Sequence, residues 1–313
     1  MVAHRLRPHA LHRKVAVLPR AAIPAWLVGV SATMPPGFEP ADGLVTSVTE
    51  GVALVEIEVL GIGDAFTSRH YNTSFLVRAQ RLYLVDAPQA LFRLLRERDI
   101  DPAAVDNVII THIHGDHSSG LQTLLLWKKY VQGMVVTLHT SRPVYEQLRD
   151  RFFPAFADAF TEDLLGTTTS RFEDYVNFAE LRCDSATSLE TGLDVEIREN
   201  WHPIPTLGLK FRGPRRAVAI SGDTCYRPLL LRQLLDGGKI SADRFERLAG
   251  NWLWDADVIY HEVSRDEPTL HTLERDLLAL PEGIRRKIRL VHVADDFVEQ
   301  DLAVGREGEV VPL

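Results

Sequence analysis

The chain has 313 residues, 45% hydrophobic and 25% charged, the balance of a soluble globular protein with length enough for one large α/β domain or two small ones. Its net charge is −8, with no basic stripe, so the footprint of a protein that grips a phosphate backbone is not evident. Two cysteines, Cys183 and Cys225, give neither a disulfide framework nor a CxxC metal site; Cys225, two residues after Asp223, reads as a small buried side chain.

Residues 1–38 contain no acidic residue and carry Arg5, Arg7, Arg13, Lys14 and Arg20 before the stretch AAIPAWLVGVSAT. Pro19, Arg20 and Pro24 break its apolar character, so a structural extension or arm is expected rather than a secretion signal or membrane span. A cytoplasmic location and no membrane partner go with that reading. MPPGFEPADGL (34–44) reads as a linker. Residues 1–50 are therefore expected to be an extension and linker, and 51–313 one continuous catalytic domain.

VALVEIEVL (52–60) alternates as a strand does, and TSFLV (73–77) with LYLVD (82–86) reads as a hairpin or adjacent strands. LFRLLRER (91–98) has helical spacing, and the β-branched run at 108–110 predicts a strand. Directly after it comes THIHGDHSSG (111–120), then an apolar helical pattern from Leu121 to Trp127. A strand ends, His112, His114, Asp116 and His117 turn outward, and a helix begins. Three imidazoles and a carboxylate suit zinc, with iron or manganese as alternatives. Residues at a strand's end alternate sides, so His112 and His114 can face one metal together while Asp116 and His117, past the turn, face a second.

MVVTLH (134–139) is a further strand. Val144, Leu148, Phe152, Phe156, Phe160 and Leu164 recur every fourth residue, which predicts a helical face over 143–165 that packs on the core or serves as a lid or dimer contact. Strands are expected at 193–197, 207–211, 217–221, 257–261 and 289–293, and helices at 228–235, 241–249 and near 272–279. Three more metal-ligating residues stand near or at strand ends: His202, Asp223 and His292. One arrangement satisfies two metals. His112, His114 and His202 hold the first, Asp116, His117 and His292 the second, and Asp223 bridges them, since a carboxylate has two oxygens to share. A bridging hydroxide, formed because both cations would lower the pKa of bound water, would be the nucleophile.

THxHGDH, the GDT at 222–224, HPIPTLGLKF at 202–211, His261-Glu262 after an apolar strand and His271-Thr272 together resemble the metallo-β-lactamase-fold superfamily, and within it the ribonuclease Z branch, over roughly residues 55–311. The resemblance implies an α/β fold, an αββα sandwich of two mixed β-sheets flanked by helices, with two divalent metals at one edge. It implies that His271 donates a proton to the leaving oxygen or contacts the scissile group, with Glu262 orienting it, and that Asp116 belongs to the catalytic set. His261 is then an outer or structural residue. Asp86 falls where the superfamily keeps an aspartate beneath the metals, and Asn72-Thr73-Ser74 matches a turn or substrate contact of the branch.

The departures also carry meaning. His202 and Asp223 are too close in sequence for the long tRNA-gripping arm of ribonuclease Z, and segments 143–185 and 226–250 are expected to be enlarged and helical. A small-molecule substrate is expected, not tRNA, with a homodimer as one reading of the phenylalanine-rich helix. The first expectation for function is a phosphodiesterase acting on a small or cyclic nucleotide-like diester. The alternatives are hydrolysis of a sulfate ester, lactone, thioester or β-lactam on the same site, an iron oxidoreductase, and a non-catalytic binding protein.

Overall fold

The computed structural model describes residues 54–161, 163–183 and 185–313; the expectations for residues 1–50 lie outside them. In chain order the strands are β1 (Glu56–Gly61), β2 (Ser74–Arg78), β3 (Leu82–Val85), β4 (Asn107–Ile109), β5 (Val136–Thr140), β6 (Asp158–Phe160), β7 (Thr167–Thr169), β8 (Val176–Glu180) and β9 (Ala186–Glu190). They continue as β10 (Leu193–Glu199), β11 (Leu207–Arg212), β12 (Ala217–Ile220), β13 (Val258–Glu262), β14 (Ile288–Val291), β15 (Ala303–Val304) and β16 (Val310–Pro312). The α-helices are α1 (Leu91–Glu97), α2 (Gly115–Trp127), α3 (Arg142–Gln147), α4 (Pro228–Asp236), α5 (Ala242–Ala249), α6 (Glu274–Leu278) and α7 (Glu282–Arg285).

Two seven-stranded sheets run in the orders β16-β1-β2-β3-β4-β5-β8 and β15-β14-β13-β12-β11-β10-β9. Each is antiparallel at one end and parallel at the other: the change comes at β3 in the first sheet and at β12 in the second. The parallel halves read as near-continuous apolar runs because both of their faces are covered; Leu84, Val108, Ile109, Ile259 and Leu290 are fully buried. One apolar core joins the sheets. Phe75 of β2 meets Tyr260 of β13 with ring centroids 5.1 Å apart, and the Tyr83 hydroxyl of β3 donates to the Leu189 carbonyl of β9.

Helix α2 matters most for the site. Leu121, Leu124 and Leu125, spaced as one helical face, are fully buried. Gly120 lets that helix close onto the loop after β3: a Cβ there would lie 2.1 Å from the Pro88 carbonyl oxygen. The Gly120 N–H donates to the Ala87 carbonyl at 2.9 Å, and the Ala87 N–H to the His117 carbonyl at 2.7 Å. The helix start is thereby fixed against the end of β3.

The helix expected over 143–165 is shorter. Helical structure runs through α3, a π-turn at Leu148–Phe152 and a 3₁₀ turn at Phe153–Phe156, then gives way to the β6–β7 hairpin. Pro154 removes a backbone donor, and the β-branched run Thr167–Thr169 supplies a partner strand. Phe153 is buried while Phe160 and Leu164 are exposed, so the four-residue period outlasts the helix that it marks. The segment 143–185 is thus helical only in its first part and carries β6, β7 and β8 beyond; 226–250 holds α4 and α5.

Candidate metal centre

The candidate ligands gather beyond the carboxyl ends of the parallel strands, where an α/β sheet leaves a crevice. Asp86 follows β3, His112 to His117 follow β4, Asp223 follows β12, Glu262 ends β13 and His292 follows β14. His202 comes from the β10–β11 connection. Asp86 and His292 both adopt left-handed backbone, with φ of 58° and 56°, strain of the kind that collects at functional positions. Gly222 turns the chain with φ of 57°, and a Cβ on it would meet the Leu207 carbonyl oxygen at 2.2 Å. Asn200 caps the same turn by donating from Nδ2 to the carbonyls of Ser221 at 2.7 Å and Asp223 at 2.8 Å.

Buried Asp86 sets the direction of two imidazoles. It accepts from the Thr111 N–H and from the Thr111 hydroxyl, each at 2.8 Å, and from His117 Nδ1 at 2.8 Å. The Thr111 hydroxyl, committed as a donor to Asp86, accepts from His112 Nδ1 at 3.1 Å. These bonds place a proton on Nδ1 of both rings and turn each Nε2 to the inner side.

Two donor groups result. His112 Nε2 and His202 Nε2 approach His114 Nδ1 at 3.1 and 3.2 Å, with Asp223 Oδ2 at 3.5 Å from His112 Nε2 and 4.0 Å from His202 Nε2. In the second group Asp116 Oδ2 lies 3.2 Å from His117 Nε2 and 3.1 Å from His292 Nε2. Asp223 Oδ1 stands 3.2 Å from His117 Nε2 and 3.7 Å from His292 Nε2. The two oxygens of Asp223 thus face different groups. All seven sequence-predicted ligands come together in two sets that could hold metal ions, while a third combination, Asp223 with His271 and His292, is also close enough.

The chemistry of this donor set fits divalent cations. Burial holds His112 and His114 below the usual imidazole range and His202 at about 4, so three neutral rings bring one nitrogen each to a common point, where they can serve as metal ligands. In the second group burial opposes charge, but the Asp223 and Asp116 carboxylates outweigh it and push His292 up to about 9. Burial likewise resists ionisation of Asp116 and Asp223, yet the neighbouring imidazoles hold both carboxyls below the carboxylate range. His117 Nε2 and Asp223 Oδ1 are buried without an aligned hydrogen bond. Such atoms are costly unless a ligand satisfies them.

His271 stands at the open side of this cluster. Its Nδ1 lies 3.0 Å from Glu262 Oε2 and 4.0 Å from Asp223 Oδ2. Glu262 is fixed through its other oxygen, which accepts from the Thr272 N–H at 2.8 Å. His261 is elsewhere: it stacks on Trp254 with centroids 5.6 Å apart, and its Nδ1 meets the Glu262 carbonyl at 2.6 Å. Asn72, Thr73 and Ser74 serve the turn. Asn72 donates to the Asp64 carbonyl, Ser74 to the Asn72 carbonyl, and Thr73 Oγ1 donates to the Gly63 carbonyl while accepting from the His292 N–H at 2.9 Å. Cys225 is buried, and burial raises its thiol. Sequence reasoning missed Thr111, Asn200 and Ser221, the last accepting the Glu262 N–H on its hydroxyl. For Thr111 the adjacent HxHxDH run was the available signal; Asn200 and Ser221 carry none.

Comparison with known proteins gives the family and the fold. The family described as "Anti-Pycsar protein Apyc1" matches residues 55–310. The cAMP/cGMP-dependent 3',5'-cAMP/cGMP phosphodiesterase B of Dictyostelium discoideum is 28% identical over 261 residues, covering 82% of this chain and 22% of that protein. The Anti-Pycsar protein Apyc1 of Paenibacillus xerothermodurans is 26% identical over 259 residues, covering 82% of this chain and 93% of that protein. Among solved structures, the metallo-β-lactamase fold protein YhfI of Bacillus subtilis superposes with a TM-score of 0.59 at 13% identity, over 83% of this chain and 99% of that one. The αββα sandwich expected from the sequence is therefore the fold.

Proposed function

The chain belongs to the Anti-Pycsar Apyc1 family, and we propose from that premise that it is a dinuclear metal-dependent phosphodiesterase acting on a cyclic nucleotide. The observation that carries the reading is the pair of donor sets sharing Asp223, with His271 and Glu262 beside them. The substrate class follows the printed activity of the Dictyostelium relative, a 3',5'-cAMP/cGMP phosphodiesterase. Cyclic nucleotides derive from nucleoside triphosphates inside the cell, so a cytoplasmic location goes with that substrate.

His112, His114 and His202 would hold one cation, Asp116, His117 and His292 the other, with Asp223 reaching both. The nitrogen-rich donors favour zinc, with manganese or iron as alternatives. When bound, two such cations supply Lewis acidity and make a water acidic enough to attack at neutral pH. The residues of the chain do the rest. Water adds to phosphorus, one ester P–O bond breaks, and the leaving alkoxide takes a proton from His271. Glu262, facing Nδ1, leaves Nε2 as the atom that delivers it. Asp86 holds His117 in register, and Thr111 does the same for His112.

The chain between His202 and Asp223 is taken up by β11 and β12, so no protruding arm for tRNA arises there. No helix of the described residues is long and apolar enough to cross a membrane. A homodimer is part of the same proposal, tested by mass in solution.

The test is elemental analysis of the purified protein together with hydrolysis of 3',5'-cAMP and bis(p-nitrophenyl) phosphate. Two ions per chain, turnover lost on chelation and restored by zinc or manganese are expected. Two ions with no cleavage of either diester, but cleavage of a sulfate ester, lactone or thioester, would overturn the substrate class.

A further inference from the structure

Phe66 is 92% exposed, yet the loop that carries it is tightly tied. Asp295, three residues beyond His292, accepts from Thr67 Oγ1 at 2.6 Å, the Ser68 N–H at 2.9 Å, Ser68 Oγ at 2.6 Å and the Arg69 N–H at 3.1 Å. The Phe66 N–H itself donates to Asp64 Oδ1 at 2.9 Å. At the loop's base the Asp64 N–H donates to the Val293 carbonyl at 3.0 Å. Gly63 leaves room for Thr67, whose side chain a Cβ would meet at 2.5 Å. These bonds hold the residues beside Phe66 in place, so a bare aromatic ring stands at a fixed position on the wall of a cleft.

The cleft beside it has a volume of ≈ 370 Å³ and is lined by Phe66 together with His271, His292, Arg265 and Phe297. It is continuous with the metal centre through the two histidines. Its opposite wall is preset: the Arg265 guanidinium lies 3.9 Å from the centroid of the Phe297 ring and is held by Glu274 and the Val298 carbonyl. Asp64, Asp266 and Asp296 also line the cleft, and away from the two histidines their charge disfavours a phosphate more than an uncharged, flat group.

We infer that Phe66 stacks on the heterocyclic base of a nucleotide whose phosphate sits at the metal centre beside His271 and His292, and that Asp295 is a positioning residue acting through Phe66. The inference rests on the phosphodiesterase reading and adds the element that binds the base. Base–aromatic stacking is strong enough for loss of the ring to be read in KM.

The experiment compares 3',5'-cAMP with the abasic ribose 3',5'-cyclic phosphate on the metal-loaded protein. Phe66→Ala should raise KM for cAMP about tenfold while kcat and the abasic substrate's kcat/KM stay unchanged, and Phe66→Trp should restore the lower KM. Asp295→Ala should raise KM for cAMP in the same direction, and the double variant should be no worse than Phe66→Ala alone, since both act through one ring. An unchanged KM for cAMP in Phe66→Ala overturns the inference; if that variant also sediments as a smaller species, the ring's occupant is a second copy of the chain. Additive effects in the double variant would reduce Asp295 to a structural role. Wild-type protein inactive on both diesters would instead break the phosphodiesterase reading itself.

Discussion

At the scale of single residues, the centre is organised by second contacts as much as by its donors. Asp86 binds both Thr111 and His117, so one carboxylate sets the proton position on two imidazoles, directly and through a hydroxyl. Burial raises the Asp86 carboxyl, and the charge and hydrogen bonds of His117 and Thr111 work against that rise. His271 is the residue whose role geometry leaves most sharply testable, because it faces both Glu262 and Asp223. His271→Ala should keep two ions per chain, measured by elemental analysis, and lose about 10²–10⁴ in kcat, the range of a general acid. Loss of an ion in that variant would make His271 a ligand with Asp223 and His292 instead.

At the scale of elements, the site depends on how strands stop. β4 passes directly into the His-rich turn and α2, and Gly120 seats that helix on the end of β3. β12 stops at the Gly222 turn, which only a residue free to take positive φ and lacking a Cβ can make here. Gly222→Ala should therefore cost at least about 2 kcal/mol in urea denaturation and weaken binding of both ions, since Asp223 serves both groups. Unchanged stability with both ions retained would show that the turn tolerates a side chain. The spacing in the sequence located these strand ends within a residue or two because apolar alternation and Gly-Asp turns are local signals. The region 143–165 failed for the opposite reason: a four-residue period continued while Pro154 and the pairing of β6 with β7 ended the helix.

At the scale of the whole molecule, two sheets of similar make-up, each antiparallel then parallel, place their strand ends along one crevice. The sandwich also buries titratable groups that take no part in the chemistry. His139, on β5, packs against Tyr83 with ring centroids 5.7 Å apart and contacts Asn107; burial and the charge of Arg81 hold it at about 4. An unfolded histidine titrates near 6.5, so between about pH 6.5 and 4 the unfolded chain binds more protons than the folded one. Stability from this group is complete above that window and is lost as pH falls through it, by up to about 3 kcal/mol. In chelated protein, His139→Gln should lose less stability than wild type between pH 7 and 4, measured by urea midpoints; parallel curves would reject the assignment.

The amino-acid sequence by itself determined which side chains could ligate metal and which strands carry them, from patterns within a few residues: imidazoles and carboxylates spaced on one turn, apolar alternation before them and helical spacing after. That the domain is an αββα sandwich followed from the resemblance of its motifs to the metallo-β-lactamase-fold superfamily. The sequence offered Asp223 as a bridge and His292 beside Asp116 as one arrangement; tertiary structure is what turns one Asp223 oxygen toward each donor group and brings His292 to Asp116, 176 residues away. It also decided that Asp295 pins the loop of Phe66 from 227 positions along the chain. Such contacts depend on how the two sheets pack and where each strand ends in space, which no local spacing encodes.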